Sequence, residues 1–158
     1  MFLTKKVGDF NKKESESLDF TGLKIPRDYN KKKGGYTMSQ GLEKAKEMAK
    51  IAYHALDEKK GEDIRAIQIT EIASFADYFI IADGSNPSQI TALVDNVEEK
   101  MSEAGFEPKR IEGVRNSNWV LMDYGDIIVH VFSKEDRLFY DLERIWKDGT
   151  ELQVEDFE

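Results

Sequence analysis

The sequence predicts an α/β domain built on a mixed β-sheet of about five strands flanked by helices, and two observations predict it. Helix-period and strand-period segments alternate from Leu42 to Trp146, which is the pattern of a sheet covered by helices rather than of a bundle or a sandwich. Within them lies the run Tyr78-Phe79-Ile80-Ile81-Ala82, apolar at every position. A strand with no polar face is covered on both sides and belongs near the centre of such a sheet.

Each element follows from its own spacing. Leu42, Ala45, Met48, Ala49, Ala52 and Leu56 recur at helical intervals among charged residues and run out near Lys60-Gly61, an amphipathic helix with a stop signal. Residues 64–69 form a strand, and residues 78–82 the strand beside it. Asn86-Pro87-Ser88-Gln89 reads as a helix start, with Asn86 as cap, Pro87 in the first turn and Gln89 reaching back as in a capping box. Ile90, Leu93, Val94, Val97 and Met101 are that helix's buried stripe, and Gly105 ends it. Strand, helix and further strand make a βαβ-like unit, hence a mixed sheet.

Residues 119–123 and 126–132 flank Tyr124-Gly125, which suits a hairpin with a two-residue loop needing glycine at positive φ. That register sets Asp123 against Asp126, Leu121 against Ile128 and Trp119 against His130. Side chains alternate along a strand, so Val120, Met122, Ile127, Val129 and Val131 share an aliphatic face that reads as core. Trp119, Leu121, Asp123, Asp126, Ile128 and His130 share the other. A large aromatic, aliphatics, a histidine and two carboxylates resemble an interface in composition more than an interior. Ser133 caps a last helix that carries Tyr140, Leu142 and Trp146, whose spacing favours core packing. Residues 148–158 read as an acidic, frayed tail.

Composition narrows the function. The chain has 158 residues, enough for one ordinary domain and a tail. It has no cysteine and two histidines, which removes thiolate zinc sites, disulfides and cysteine nucleophiles and leaves no His-rich metal site. No run approaches the ~20 apolar residues of a bilayer crossing. No secretory signal pattern opens the chain, so a cytoplasmic location is expected.

Charge is unevenly spread. Residues 1–37 hold nine basic and five acidic side chains, against 14 basic and 26 acidic from Met38 onward. So acidic a domain repels phosphate backbones, and sequence-specific nucleic-acid binding is not expected. A basic protein is the fitting partner, although the same charge also serves solubility. Residues 1–37 have no period and read as a disordered tail. Alternatively they are a translated leader, because Lys33-Gly34-Gly35-Tyr36-Thr37 can be encoded by a purine-rich ribosome-binding site just ahead of Met38.

Several of these segments together resemble a known family. Asp77-Tyr78-Phe79-Ile80-Ile81-Ala82-Asp83-Gly84-Ser85, Glu112-Gly113, the stretch from Trp119 to Phe132 and Phe139-Tyr140-Asp141-Leu142-Glu143-Arg144-Ile145-Trp146 are similar, in order and spacing, to the signatures of the ribosomal silencing factor (RsfS or Iojap) family. The resemblance spans residues 42–146. It implies a nucleotidyltransferase-like α/β fold and a protein that binds the large ribosomal subunit through ribosomal protein L14. There it would block association with the small subunit and repress translation during nutrient limitation. The partner-binding residues expected are Trp119, Leu121, Asp123, Tyr124, Asp126, Ile128 and His130. No catalytic residue, metal or cofactor is expected.

Two further readings stay open. A homodimer could hide the apolar sheet face between two copies. A magnesium-dependent nucleotidyltransferase could use Gly84-Ser85 at a helix start to hold phosphate, with carboxylates such as Asp123. Against that reading, Glu107 and Glu112 lack the spacing of a metal-holding acidic pair on the next strand. Turn chemistry also accounts for Asp123 and Asp126.

Overall fold

The structure, a computed structural model, describes residues 38–113 and 118–157. The tail or leader expected over residues 1–37 lies outside the described residues. In chain order the elements are α1 (Met38–Glu58), β1 (Glu62–Gln68), β2 (Tyr78–Gly84), α2 (Pro87–Glu103), β3 (Arg110–Glu112), β4 (Trp119–Asp123), β5 (Ile127–Ser133), α3 (Lys134–Tyr140), α4 (Leu142–Ile145), β6 (Thr150–Leu152) and a 3₁₀ turn (Val154–Phe157). Among the described residues no helix is long and apolar enough to cross a membrane.

The strands form one six-stranded sheet in the order β3-β4-β5-β2-β1-β6. Only β2 and β5 run parallel, and the other neighbours are antiparallel. The sheet is therefore mixed, with one strand more than expected. The extra strand is β6, which pairs with β1 through Ala66↔Leu152 and Gln68↔Thr150. The stretch read as a frayed acidic tail is thus in part an edge strand. Three residues are too few to announce a strand by period, and they are one here through the ladder that β1 offers them.

The central strand behaves as its composition demands: all seven residues of β2 are buried. Its odd and even positions feed two cores on opposite sides of the sheet. Tyr78, Ile80 and Ala82 pack with the aliphatic residues of β4 and β5 against α1 and α2. Phe79 and Ile81 pack with Trp119, Leu121, Ile128, Phe132, Leu142 and Trp146. Asn96 pins the two long helices together, its amide donating to the Ala55 carbonyl at 2.7 Å.

The start of α2 is built as its sequence indicates. The Asn86 side chain accepts from Gln89 N at 2.9 Å, and Pro87 takes the first position. The Gln89 side-chain oxygen Oε1 reaches back to accept from Ser85 N at 2.6 Å, one residue beyond a standard capping box, while its Nε2 donates to the Lys60 carbonyl at 2.8 Å. The last helix departs from expectation. Ser133 caps it, accepting from Asp136 N at 3.2 Å, but it breaks at Asp141, whose φ of +46° is left-handed. Two short helices result.

The hairpin loop is also shifted by one residue. Tyr124 N donates to Ile127 O at 3.0 Å, so the loop is Gly125-Asp126. Gly125 has the positive φ, +87°. The pairs become Trp119↔Phe132, Leu121↔His130 and Asp123↔Ile128. Moving the loop by one residue moves each partner by two, so both faces survive the error.

Candidate functional site

The seven residues expected to bind a partner separate in the structure. Trp119, Leu121, Ile128 and His130 do share one sheet face, but each is at most 2% exposed. The exposed patch expected there is corrected: α3, α4 and the chain before β2 cover this face through Tyr140, Leu142, Trp146 and Phe75. A second copy therefore does not hide it. Tyr124 points the other way, into the aliphatic core, and burial pushes its phenol pKa up. Only Asp123 and Asp126 are half-buried. Asp123 accepts from Gly125 N at 2.8 Å and lies 3.3 Å from Arg110, so its carboxylate serves the turn and an ion pair. The Asp126 carbonyl accepts from Asp77 N at 2.7 Å and anchors the start of β2.

His130 is the chemical centre of the buried layer. Trp119 Nε1 donates to His130 Nδ1 at 3.1 Å. That contact requires an unprotonated Nδ1, hence the neutral ring. Phe79 meets the imidazole edge-on at 5.1 Å and Phe132 stacks on it at 5.9 Å. Enclosed by rings, the imidazolium would lose its hydration, and burial pulls the pKa down to about 3. Above this layer, Tyr140 of α3 lies against Trp119 with ring centroids 4.7 Å apart.

The surface of interest lies one layer further out. Leu138 and Phe139 of α3 are 82% and 77% exposed, far above any other large apolar residue described. Helix geometry explains them. Leu138, Phe139 and Tyr140 are consecutive, and each residue turns about 100° around the axis, so the three cannot face one side. Arg137 and Tyr140, three apart, take the inward side, and Leu138 and Phe139 are left outside. The same count was available from the sequence, so the signal existed.

Beside this helix a buried cation holds the end of the sheet together. Arg137 is 5% exposed. Its guanidinium lies 3.1 Å from Asp83, 2.7 Å from Glu143 and 3.3 Å from Asp63, and donates to the Glu62 carbonyl at 3.3 Å. Asp63 reaches it from a bulge in β1, where its φ is +44°. Burial raises the Asp83 pKa, and the neighbouring Arg137 opposes that rise. Lys134 pairs with Glu62 at the rim and holds its carboxyl below the usual range. One signal in the sequence pointed here: a carboxylate, Asp83, closes an otherwise apolar central strand and must meet a cation.

The Gly84-Ser85 turn is occupied by the chain itself. A Cβ on Gly84 would lie 2.9 Å from Ile90 Cγ1, so glycine here lets α2 close on β2. Ser85 gives its hydroxyl to Gln89 at 2.7 Å. Among the described residues no three His, Cys, Asp or Glu side chains group as metal ligands would.

The family model for "Ribosomal silencing factor during starvation" matches residues 42–158. The chain belongs to the ribosomal silencing factor family. Two curated relatives named ribosomal silencing factor RsfS agree. The one from Halalkalibacterium halodurans is 38% identical over 109 residues, 69% of this chain and 93% of its own length. The one from Bacillus subtilis is 41% identical over 104 residues, 66% and 88% respectively. A crystal structure of a Chromobacterium violaceum protein superposes with a TM-score of 0.64 at 36% identity, covering 65% of this chain and 86% of that one. The silencing-factor match extends through β6 to residue 158.

Proposed function

We propose that this protein is a cytoplasmic, non-catalytic silencing factor that docks on the large ribosomal subunit through ribosomal protein L14 and keeps the small subunit from joining during nutrient limitation. The observation that carries the docking surface is the exposed pair Leu138 and Phe139 on a helix anchored from beneath. Family membership supplies the ribosomal context. Paired large apolar side chains, surrounded by polar groups and seated on a rigid layer, have the make-up of an interface anchor.

Charge supports a basic protein as partner. Residues from Met38 onward carry 26 acidic against 14 basic side chains, and Glu135 lies exposed one turn before Phe139. Opposite charge speeds encounter, whereas the apolar pair supplies affinity. Trp119 and His130 then act as the floor under α3. Silencing by excluded volume needs no bond-making step.

The test is an association assay on sucrose gradients with purified bacterial subunits, the whole chain and a Leu138→Asp, Phe139→Asp variant. The wild type is expected to migrate with large subunits and suppress the joined particle, and the folded variant to do neither. A wild type that leaves both subunits untouched would overturn the function. A folded variant that still silences would overturn the surface.

A further inference from the structure

A seven-residue helix does not hold itself in water, since isolated helices of fewer than ~12–15 residues are marginal. Helix α3 has that length, and immediately after Arg137 it carries the two most exposed large apolar residues described, Leu138 and Phe139. What holds it is unusual in its reach. Arg137 Nη1 lies 3.1 Å from Asp83 of β2 and donates to the carbonyl of Glu62 in β1 at 3.3 Å. Its Nε donates to Glu143 of α4 at 2.8 Å, and Nη2 lies 3.3 Å from Asp63 in the β1 bulge. One planar group thus ties α3 to two strands and to the following helix. A guanidinium has the fixed fork of donors to do this, and an ammonium does not.

We propose that Arg137 is a positioning residue for ribosome docking: the Asp83–Arg137–Glu143 clamp sets the rotation of α3 and so presents Leu138 and Phe139 as a preorganised anchor. The inference rests on the reading of those two residues as the docking surface. Arg137 is itself 5% exposed and offers a partner almost nothing to touch, so its effect reaches the ribosome only through α3. Its inward direction on the helix is the counterpart of the outward direction of the anchor. A surface held in its bound geometry loses less freedom on binding, and that advantage falls mainly on the dissociation rate.

Two variants separate positioning from stability. Glu143→Gln removes one charge of the clamp at a half-buried site. The pair Asp83→Leu with Arg137→Met, made together with Glu143→Gln so that no clamp carboxylate is left unpaired, exchanges the buried ion pair for apolar side chains of similar size, a change that proteins often tolerate without loss of stability. The whole chain is passed over surface-captured bacterial large subunits, with Phe139→Ala as reference. Both clamp variants are expected to dissociate roughly tenfold faster with an unchanged association rate and salt dependence. Amides of residues 138–141 should exchange faster while the melting temperature of the triple variant stays near wild type. A folded clamp variant with the wild-type dissociation rate overturns the inference, as does a change confined to the association rate. If the triple variant does not fold, Glu143→Gln alone decides by the same rates. If Phe139→Ala dissociates like wild type, the docking surface itself is wrong and the clamp has nothing to position. If Phe139→Ala dissociates fast and the clamp variants do not, only the clamp falls.

Discussion

The two faces of the sheet are built on different plans. One is aliphatic, with Val120, Met122, Ile127, Val129 and Val131 packed under the long helices α1 and α2. The other is aromatic, with Trp119, His130, Phe79, Phe132 and Trp146 under helices of seven and four residues. Long amphipathic helices bind through many interchangeable contacts, and volume-conserving exchanges there cost little. Short helices have too few contacts for that. They are placed by specific ones: a Trp–His hydrogen bond, ring stacking, and a buried guanidinium with three carboxylates. The plain face is held by many interchangeable contacts, whereas the specific face also fixes a position.

The largest effect expected to sharpen this contrast is on Trp119. Trp119→Ala removes the biggest fully buried side chain among the described residues and takes away the Nε1–H donor to His130 Nδ1, and should cost about 3–5 kcal/mol in urea unfolding. A loss below 1 kcal/mol would mean the aromatic layer is not the floor of α3.

Acid should act on the same face. The His130 pKa is near 3 in the folded chain, against an ordinary value of 6.5. The unfolded state therefore binds the proton more readily, and the contribution is complete above pH 6.5 and lost as pH falls toward 3. At pH 4.5 that loss is on the order of 2–3 kcal/mol. Paired unfolding curves of wild type and His130→Gln at pH 7 and 4.5 should show the variant losing less on acidification. Equal losses would remove His130 as the acid-sensitive group.

A smaller effect belongs to the plain face. Gly84→Ala pushes a methyl to within 2.9 Å of Ile90 and should cost about 1–3 kcal/mol by thermal melting. An unchanged melting temperature would show that α2 can back away from β2. The smallest stability change is expected at the surface. Phe139→Ala should leave unfolding within about 0.5 kcal/mol of wild type. It should nonetheless weaken large-subunit binding roughly thirtyfold, on the order of 2 kcal/mol. Stability lost without affinity lost would reverse the roles assigned to the two layers.

Much of this was readable from local pattern. The cap at Asn86, the seven buried residues of β2 and the alternation in β4 and β5 depend on near neighbours in sequence. Even the misplaced loop left the faces intact. Exposure of the Trp119 face was not readable, because it depends on whether a segment some 20 positions later folds back over it. Residues 134–146 do so, and the interface-like composition of Trp119, Leu121, Ile128 and His130 proved to be that of an interior with one hydrogen-bonded polar pair.

Periodicity determined most of the secondary elements and the side of the sheet each residue takes, and motifs in order carried the family resemblance, since these reside in spacing along one chain. Tertiary structure decided which face is covered, that residues 150–152 become a strand, and that Arg137 meets Asp83 across 54 positions. The physical reason is that burial and ion pairing belong to pairs of segments, and no segment alone records which partner arrives.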